Sequence, residues 1–260
     1  MIRMMRHNIW RLAATAVAAV AVAAGCDRGG LKVKSADLQL SENLVEGRSD
    51  SISISAFVEY PVAGLPDEAM RNIVGALCRT AFQVDESEDI EKAERIWADA
   101  CIRDYREANM DLLEYVKGNG GESAVLSWEM SVSGYICGVH GNLYSYNVTS
   151  YSYTGGAHGS TVEAGLVFDG ATGELVTEND LFAGEFRETL SELLTAHLEE
   201  SLIDADAYDA LFIKDIEPNG NFIVTSEGIT YIYGQYEIGP YYLGIIKVTV
   251  PWDELQGILR

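Results

Sequence analysis

The sequence predicts an α+β fold, a mostly antiparallel sheet with helices packed on one side, in two subdomains. Three observations carry this. Segments alternating between apolar and polar residues stand at both ends of the chain. Two helical segments sit together between 66 and 117. Beyond residue 120 the composition turns to β-branched and aromatic residues.

The elements follow in order. "ADLQLSE" (36–42) and "DSISISAFVEYPV" (50–62) alternate in the strand period of two. Pro66, Asp67 and Glu68 open a helix, because proline fits the first turn and acids suit the positive end of the helix dipole. That helix is expected to reach Phe82. Ser87 is placed to cap a longer helix over 88–117, where Ile90, Ala93, Ile96, Trp97, Ala100, Cys101, Tyr105, Leu112, Leu113 and Val116 recur at helical spacing. "GNGG" (118–121) then stops it.

"SAVLSWEMSVSGYICGV" and "LYSYNVTSYSYT" flank His140-Gly141-Asn142 and read as a long hairpin. A strand over 161–169 and a short one at "ELVT" follow. A helix is expected over 184–202, a hairpin over 221–234 turning at Glu227-Gly228, a last strand over 244–250, and a C-terminal helix opened by Pro251. The shift in composition places the subdomain boundary near 120, giving units 36–120 and 121–260.

The first 25 residues read as a leader. Arg3, Arg6 and Arg11 precede an apolar run, Leu12 to Ala24, shorter than the ~20 residues of a bilayer span. Ala23-Ala24-Gly25-Cys26 places small residues directly before a cysteine. That pattern resembles a bacterial lipoprotein signal with Cys26 acylated, so 26–35 becomes a tether and the expected location is the cell envelope, lipid-anchored, periplasmic or surface-facing.

The chain carries 18 basic against 40 acidic residues, a formal net charge of −22, and the loss of three arginines with the leader deepens it. Nucleic acid, which demands a basic face, is a poor partner; a basic protein is a better one. Beyond Cys26 lie Cys78, Cys101 and Cys137. An oxidising compartment permits a Cys78–Cys101 bridge between the neighbouring helices.

No serine-hydrolase, zinc-protease or phosphate-loop signature is present. His158 sits in Gly155-Gly156-Ala157-His158-Gly159, and a predicted strand of ~40 Å separates it from His140, so the two cannot share a metal. His197, beside Glu199 and Glu200, reads as part of a solvated helix face. Asp204, Asp206 and Asp209 resemble a fragment of a calcium loop that lacks its glycine and final glutamate. No cofactor, metal or catalytic group is expected. The most economical role for His158 is to hydrogen-bond its own glycine-rich loop.

A second unusual stretch is "YIYGQYEIGPYYLG" (231–244), with five tyrosines, three glycines and Pro240. Tyrosine offers a large contact area with a polar tip at low entropic cost. The same rings could equally close the core edge.

Together, "YTGGAHGSTVEAGLVFDGATGELVTENDLF" and "NFIVTSEGITYIYGQYEIGPYYLGIIKVTVPWDEL" resemble the RsiV-like domain, the extracytoplasmic part of lysozyme-sensing anti-sigma factors, over about 143–257. Residues 36–120 resemble the companion domain of PdaC-type peptidoglycan deacetylases. The resemblance implies an α+β fold and a binding rather than catalytic role, here in lipoprotein form. The implied partner is a basic protein such as lysozyme, or a peptidoglycan fragment. The expected face combines Gly155, Gly156 and His158 with Tyr236, Glu237, Pro240, Tyr241 and Tyr242. The alternatives are a structural envelope protein without ligand and a glycan-acting hydrolase.

Overall fold

The computed structural model describes residues 30–118 and 124–260. The leader, Cys26 and the next three residues of the expected tether lie outside the described residues, and its last four residues, from Lys32, are not a tether but the start of the first strand. Among the described residues, eight strands and six α-helices make up an α+β architecture with two sheets. No helix among the described residues is long and apolar enough to cross a membrane.

The larger sheet has the order β1 (Lys32–Asn43), β2 (Ser51–Ala63), β3 (Trp128–His140), β4 (Leu143–Tyr153), β5 (Ser160–Asp169). Every pair is antiparallel except β2–β3, which is parallel. Parallel neighbours need a long crossover. Here it consists of α1 (Asp67–Phe82) and α2 (Ile90–Gly118), the two grouped helices of the sequence. Strict alternation in β2 buries Ile52, Ile54, Ala56 and Val58 on one face. They join Ile73, Leu77 and Phe82 of α1, Trp97 and Tyr105 of α2, and Val132, Tyr146 and Phe168 of β3–β5 in one core.

Both helices begin as short-range chemistry dictates. Pro66 stands at the N-cap of α1, followed by Asp67 and Glu68. For α2 the cap is Asp89 rather than Ser87: its carboxylate accepts from the Lys92 N–H at 3.0 Å. The Ser87 hydroxyl is engaged with the Asp89 backbone instead.

The second sheet is β6 (Phe222–Val224), β7 (Gly228–Tyr233), β8 (Ile246–Pro251), all antiparallel. Leu190, Leu194 and Leu198 of α4 (Phe186–Leu198) bury their four-residue stripe against β7 and β8. The expected short strand at "ELVT" is a single bridge, Phe168 to Leu175. The residues after it form α3 (Glu178–Leu181), closed by a reciprocal Thr177–Asp180 capping box. The Asp204–Asp209 stretch is α5 (Ala205–Asp209), with Asp204 capping it through the Ala207 N–H at 2.9 Å. A last short helix, α6, spans Trp252–Leu255.

The boundary expected near 120 is not a break in the fold. Strands β3–β5 continue the sheet begun by β1 and β2, and the first core runs from Leu31 to Phe168. The two cores meet instead across β5, where Val167 faces the second and Phe168 the first. Composition changes at 120 because the chain passes from crossover helices back into the same sheet.

Strand β6 docks on the large sheet unusually closely. A Cβ at Gly138 would lie 2.3 Å from the Val224 carbonyl oxygen, and one at Gly165 2.3 Å from that of Phe222. Ser145 Oγ donates to the Val224 carbonyl and accepts from its N–H, both at 2.8 Å. Asn221 donates to the Glu163 carbonyl and accepts from the Gly165 N–H, also at 2.8 Å. These side chains satisfy backbone groups that the sheet-to-sheet contact would otherwise leave buried and unpaired.

The Cys78–Cys101 bridge is not formed. Both thiols are free and buried, each packed within the first core rather than bonded to the other. Burial pushes both up, Cys101 to about 11 with Asp104 adding to it.

Two predictions follow from the packing. Gly165→Ala and Gly138→Ala each force a backbone shift and are expected to cost about 2 kcal/mol or more in chemical denaturation. Gly257→Ala, whose Cβ meets nothing within 4 Å, is the neutral control. The second concerns Glu94 on α2, buried with one carboxylate oxygen unpartnered. Burial, then Asp37 and Glu91, raises its pKa from 4.5 to about 7. The folded state therefore holds this proton more tightly than the unfolded chain, and stability falls as pH rises from 4.5 towards 7. Glu94→Gln is expected to stabilise by about 2 kcal/mol at pH 8 and to lose that advantage below pH 4.5. Denaturation midpoints across that range check it.

Candidate functional site

The two unusual stretches meet in space. The turn after β4 carries Gly155 to Gly159, and the β7–β8 connection carries Gln235 to Gly244. Glycine is required at two points of the first loop. Gly155 has φ 85°, and a Cβ there would overlap the Val125 carbonyl; one at Gly159 would enter the Tyr151 ring. Gly156 and His158 are exposed.

His158 stacks on Tyr241, with ring centroids 4.0 Å apart and planes 27° from parallel. Tyr236 completes the cluster, 5.7 Å from Tyr241 and 6.4 Å from His158. The Gly159 carbonyl ties the loops together, lying 3.0 Å from His158 Nδ1 and accepting from the Tyr241 hydroxyl at 2.9 Å. Beside it the Thr161 N–H donates to the Gln235 side chain at 2.9 Å.

The tyrosines of "YIYGQYEIGPYYLG" divide. Tyr231 and Tyr233 are strand residues of β7, buried in the second core. Their hydroxyls donate to Glu178 and to the Glu217 carbonyl, and burial pushes both phenols up. Tyr241 is half-buried against His158, whereas Tyr236 is 57% and Tyr242 71% exposed. Alternation along β7 could not distinguish these roles, because the strand ends at Tyr233 and both faces of it are buried.

Tyr236 is held at φ 65°, in the left-handed region, which is uncommon for a bulky residue. Glu237 secures that turn. Its carboxylate accepts from the Gly234 N–H at 2.5 Å and from Asn219 at 2.8 Å, so it shapes the loop from within. Pro240 leads into the short turn Tyr241–Leu243, whose backbone closes on the Pro240 carbonyl at 3.0 Å. The two loops thus bring His158, Tyr236 and Tyr241 together, Glu237 braces the turn that carries Tyr236, and Tyr242 follows Tyr241 in the chain with its ring exposed.

The remaining candidates lie elsewhere. His140 stacks on Trp252 at 4.1 Å, at the other end of β4 from His158. His197 is not on an open solvated face: its ring is engaged by Glu200 and, at 3.1 Å, by Glu254 of α6. The hydrogen bond to Glu200, followed by the interactions with Glu254, raises its pKa despite partial burial. Among the described residues no three His, Cys, Asp or Glu side chains come together as a metal site needs. His158 contacts a carbonyl oxygen and two rings, an arrangement suited to presenting an aromatic surface.

Residues 179–253 match the family described as "Protein of unknown function (DUF3298)". This stretch lies inside the 143–257 region of the resemblance. The comparison with curated proteins finds no match. Among solved structures, a DUF3298 family member from Bacteroides fragilis superposes with a TM-score of 0.78 at 21% identity, covering 89% of this chain and 94% of its own. A DUF3298 family protein from Pseudomonas aeruginosa superposes with a TM-score of 0.56 at 15% identity, covering 89% and 96%. None of these singles out the lysozyme-sensing or deacetylase-linked branch. Residues 179–253 carry the similarity to DUF3298 in sequence, and the two solved structures extend it, as a shared fold, over 89% of the chain.

Proposed function

We propose that this protein is a non-catalytic binding module of the cell envelope, anchored through a lipid on Cys26, that contacts a basic cell-wall-related protein of the lysozyme type. The observation that carries the reading is the aromatic surface of His158, Tyr236, Tyr241 and Tyr242. Two of its tyrosines are exposed, and one is held at a strained backbone angle by a glutamate brace. Strain of that kind persists where a surface must be presented in one conformation. A rigid tyrosine patch forms a contact without having to order flexible side chains first.

Charge supports the class of partner. At −22 the chain attracts a basic protein at long range and repels nucleic acid. The resemblance to lysozyme-sensing ectodomains points the same way.

The test is calorimetry of residues 27–260 with a C-type lysozyme at low and moderate salt. Binding that weakens with salt, and weakens at least tenfold in Pro240→Ala/Tyr242→Ala, is the expected result. No heat at either salt sinks the lysozyme reading and moves the search to peptidoglycan fragments.

A further substitution separates presentation from folding. Tyr236→Gly removes the ring and relieves the positive φ, so thermal stability should hold or rise by up to about 1 kcal/mol while binding falls. Loss of stability together with binding would overturn the role assigned to the strained tyrosine.

A further inference from the structure

A second feature adjoins the tyrosine surface. A cleft of about 540 Å³ opens between residues 201–207 and 242–247. Leu202, Ile203, Ala207, Tyr242 and Ile246 line it. Ile203 is 92% exposed, an extreme value for a β-branched aliphatic side chain, and faces solvent beside Tyr242. Phe212 and Ile213, also exposed, belong to the adjoining segment, whose N–H groups donate to the Ile238 carbonyl. Exposed apolar side chains gathered at a cleft, as Ile203 and Tyr242 are here, mark a contact surface.

The unanswered charge around the cleft is negative. Asp204 and Asp206 line it. The one cation in its wall, Lys247, is ion-paired with Glu163 on β5, so its charge is already answered. Asp206 makes no ion pair among the described residues. An apolar floor beside the unpaired Asp206, with Asp204 next to it capping α5, selects an apolar group carried next to a cation.

We infer that this cleft is the socket for an apolar side chain displayed beside lysine or arginine on a basic protein. The inference rests on the reading of this molecule as a binder of basic proteins, and adds the anchoring position. The apolar side chain enters between Ile203 and Ile246, and the neighbouring cation meets Asp204 and Asp206. Central apolar anchors supply most of the energy of such contacts, while the acids set orientation and encounter rate. A second copy of the chain is a poor occupant, since two molecules of −22 repel one another. Anionic lipid is disfavoured by the same acids.

The experiment uses the purified full-length protein in mild detergent and two probes, a C-type lysozyme and a synthetic peptide alternating leucine with lysine. Two control peptides replace leucine by serine or lysine by glutamate. The variants are Ile203→Ser and Asp206→Lys, both at exposed positions, with Val162→Ser as an exposed apolar control on β5. The expected result is peptide binding that drops about tenfold in Ile203→Ser and in Asp206→Lys, is unchanged in Val162→Ser, and is lost with either control peptide.

Undiminished binding in Ile203→Ser, or equal binding of the serine peptide, overturns the socket, since charge alone would then suffice. Sedimentation showing a dimer that Ile203→Ser dissociates also overturns it, by assigning the cleft to a second copy. The lysozyme arm separates the two readings. Peptide binding at the cleft without lysozyme binding leaves the socket standing and removes the lysozyme partner. Lysozyme binding indifferent to Ile203 and Asp206 removes the socket and leaves the tyrosine surface standing.

Discussion

The close seating of β6 on the large sheet is the contact on which the rest of the molecule depends. Two sheets packed through side chains stand about 10 Å apart. Here the backbone of β6 comes down onto Gly138 and Gly165, where no side chain intervenes. Such closeness buries peptide groups with no ladder partner, and Ser145 and Asn221 supply the missing hydrogen bonds. The small sheet is therefore fixed in position and in rotation.

That fixation is what makes a composite surface. The His158 loop leaves the large sheet after β4, and the tyrosine loop belongs to the small sheet between β7 and β8. Neither loop forms the stacked cluster alone. The Gly159 carbonyl, held against both His158 and Tyr241, joins them only because the sheets beneath are locked. Lys247 of β8, paired with Glu163 of β5, is a second tie near the same edge. The cleft beside Tyr242 inherits its geometry from the same docking, as its walls come from the α4–α5 connection and from the approach to β8.

Polar groups inside the molecule are settled unevenly. Tyr105 donates to the Leu126 carbonyl at 2.8 Å and Asn109 to the Tyr105 carbonyl at 2.8 Å, so both fit the first core. Glu94 lacks such a partner on one oxygen and faces the charges of Asp37 and Glu91, so its charged form is costly. It is a weak point of the α2 packing at neutral pH.

By itself the sequence determined the local elements and the two segments that matter. Periodicity placed β1, β2, α1, α2, the β3–β4 hairpin and β7 within a few residues of their observed bounds, because a strand or helix advertises its buried face in its own spacing. The glycine-histidine loop and the tyrosine-rich loop stood out by composition. Only the tertiary structure decided the rest. The parallel pairing of β2 with β3 carries the sheet across the compositional change at 120, and pairing between distant strands leaves no mark in either segment. Burial of Glu94 and exposure of Ile96 run against their residue types on one helix. Tyr231 and Tyr233 went to the core while Tyr236 and Tyr242 went to solvent. Which face of a strand or turn is covered depends on what packs there, and here that is a sheet from another part of the chain resting on two glycines.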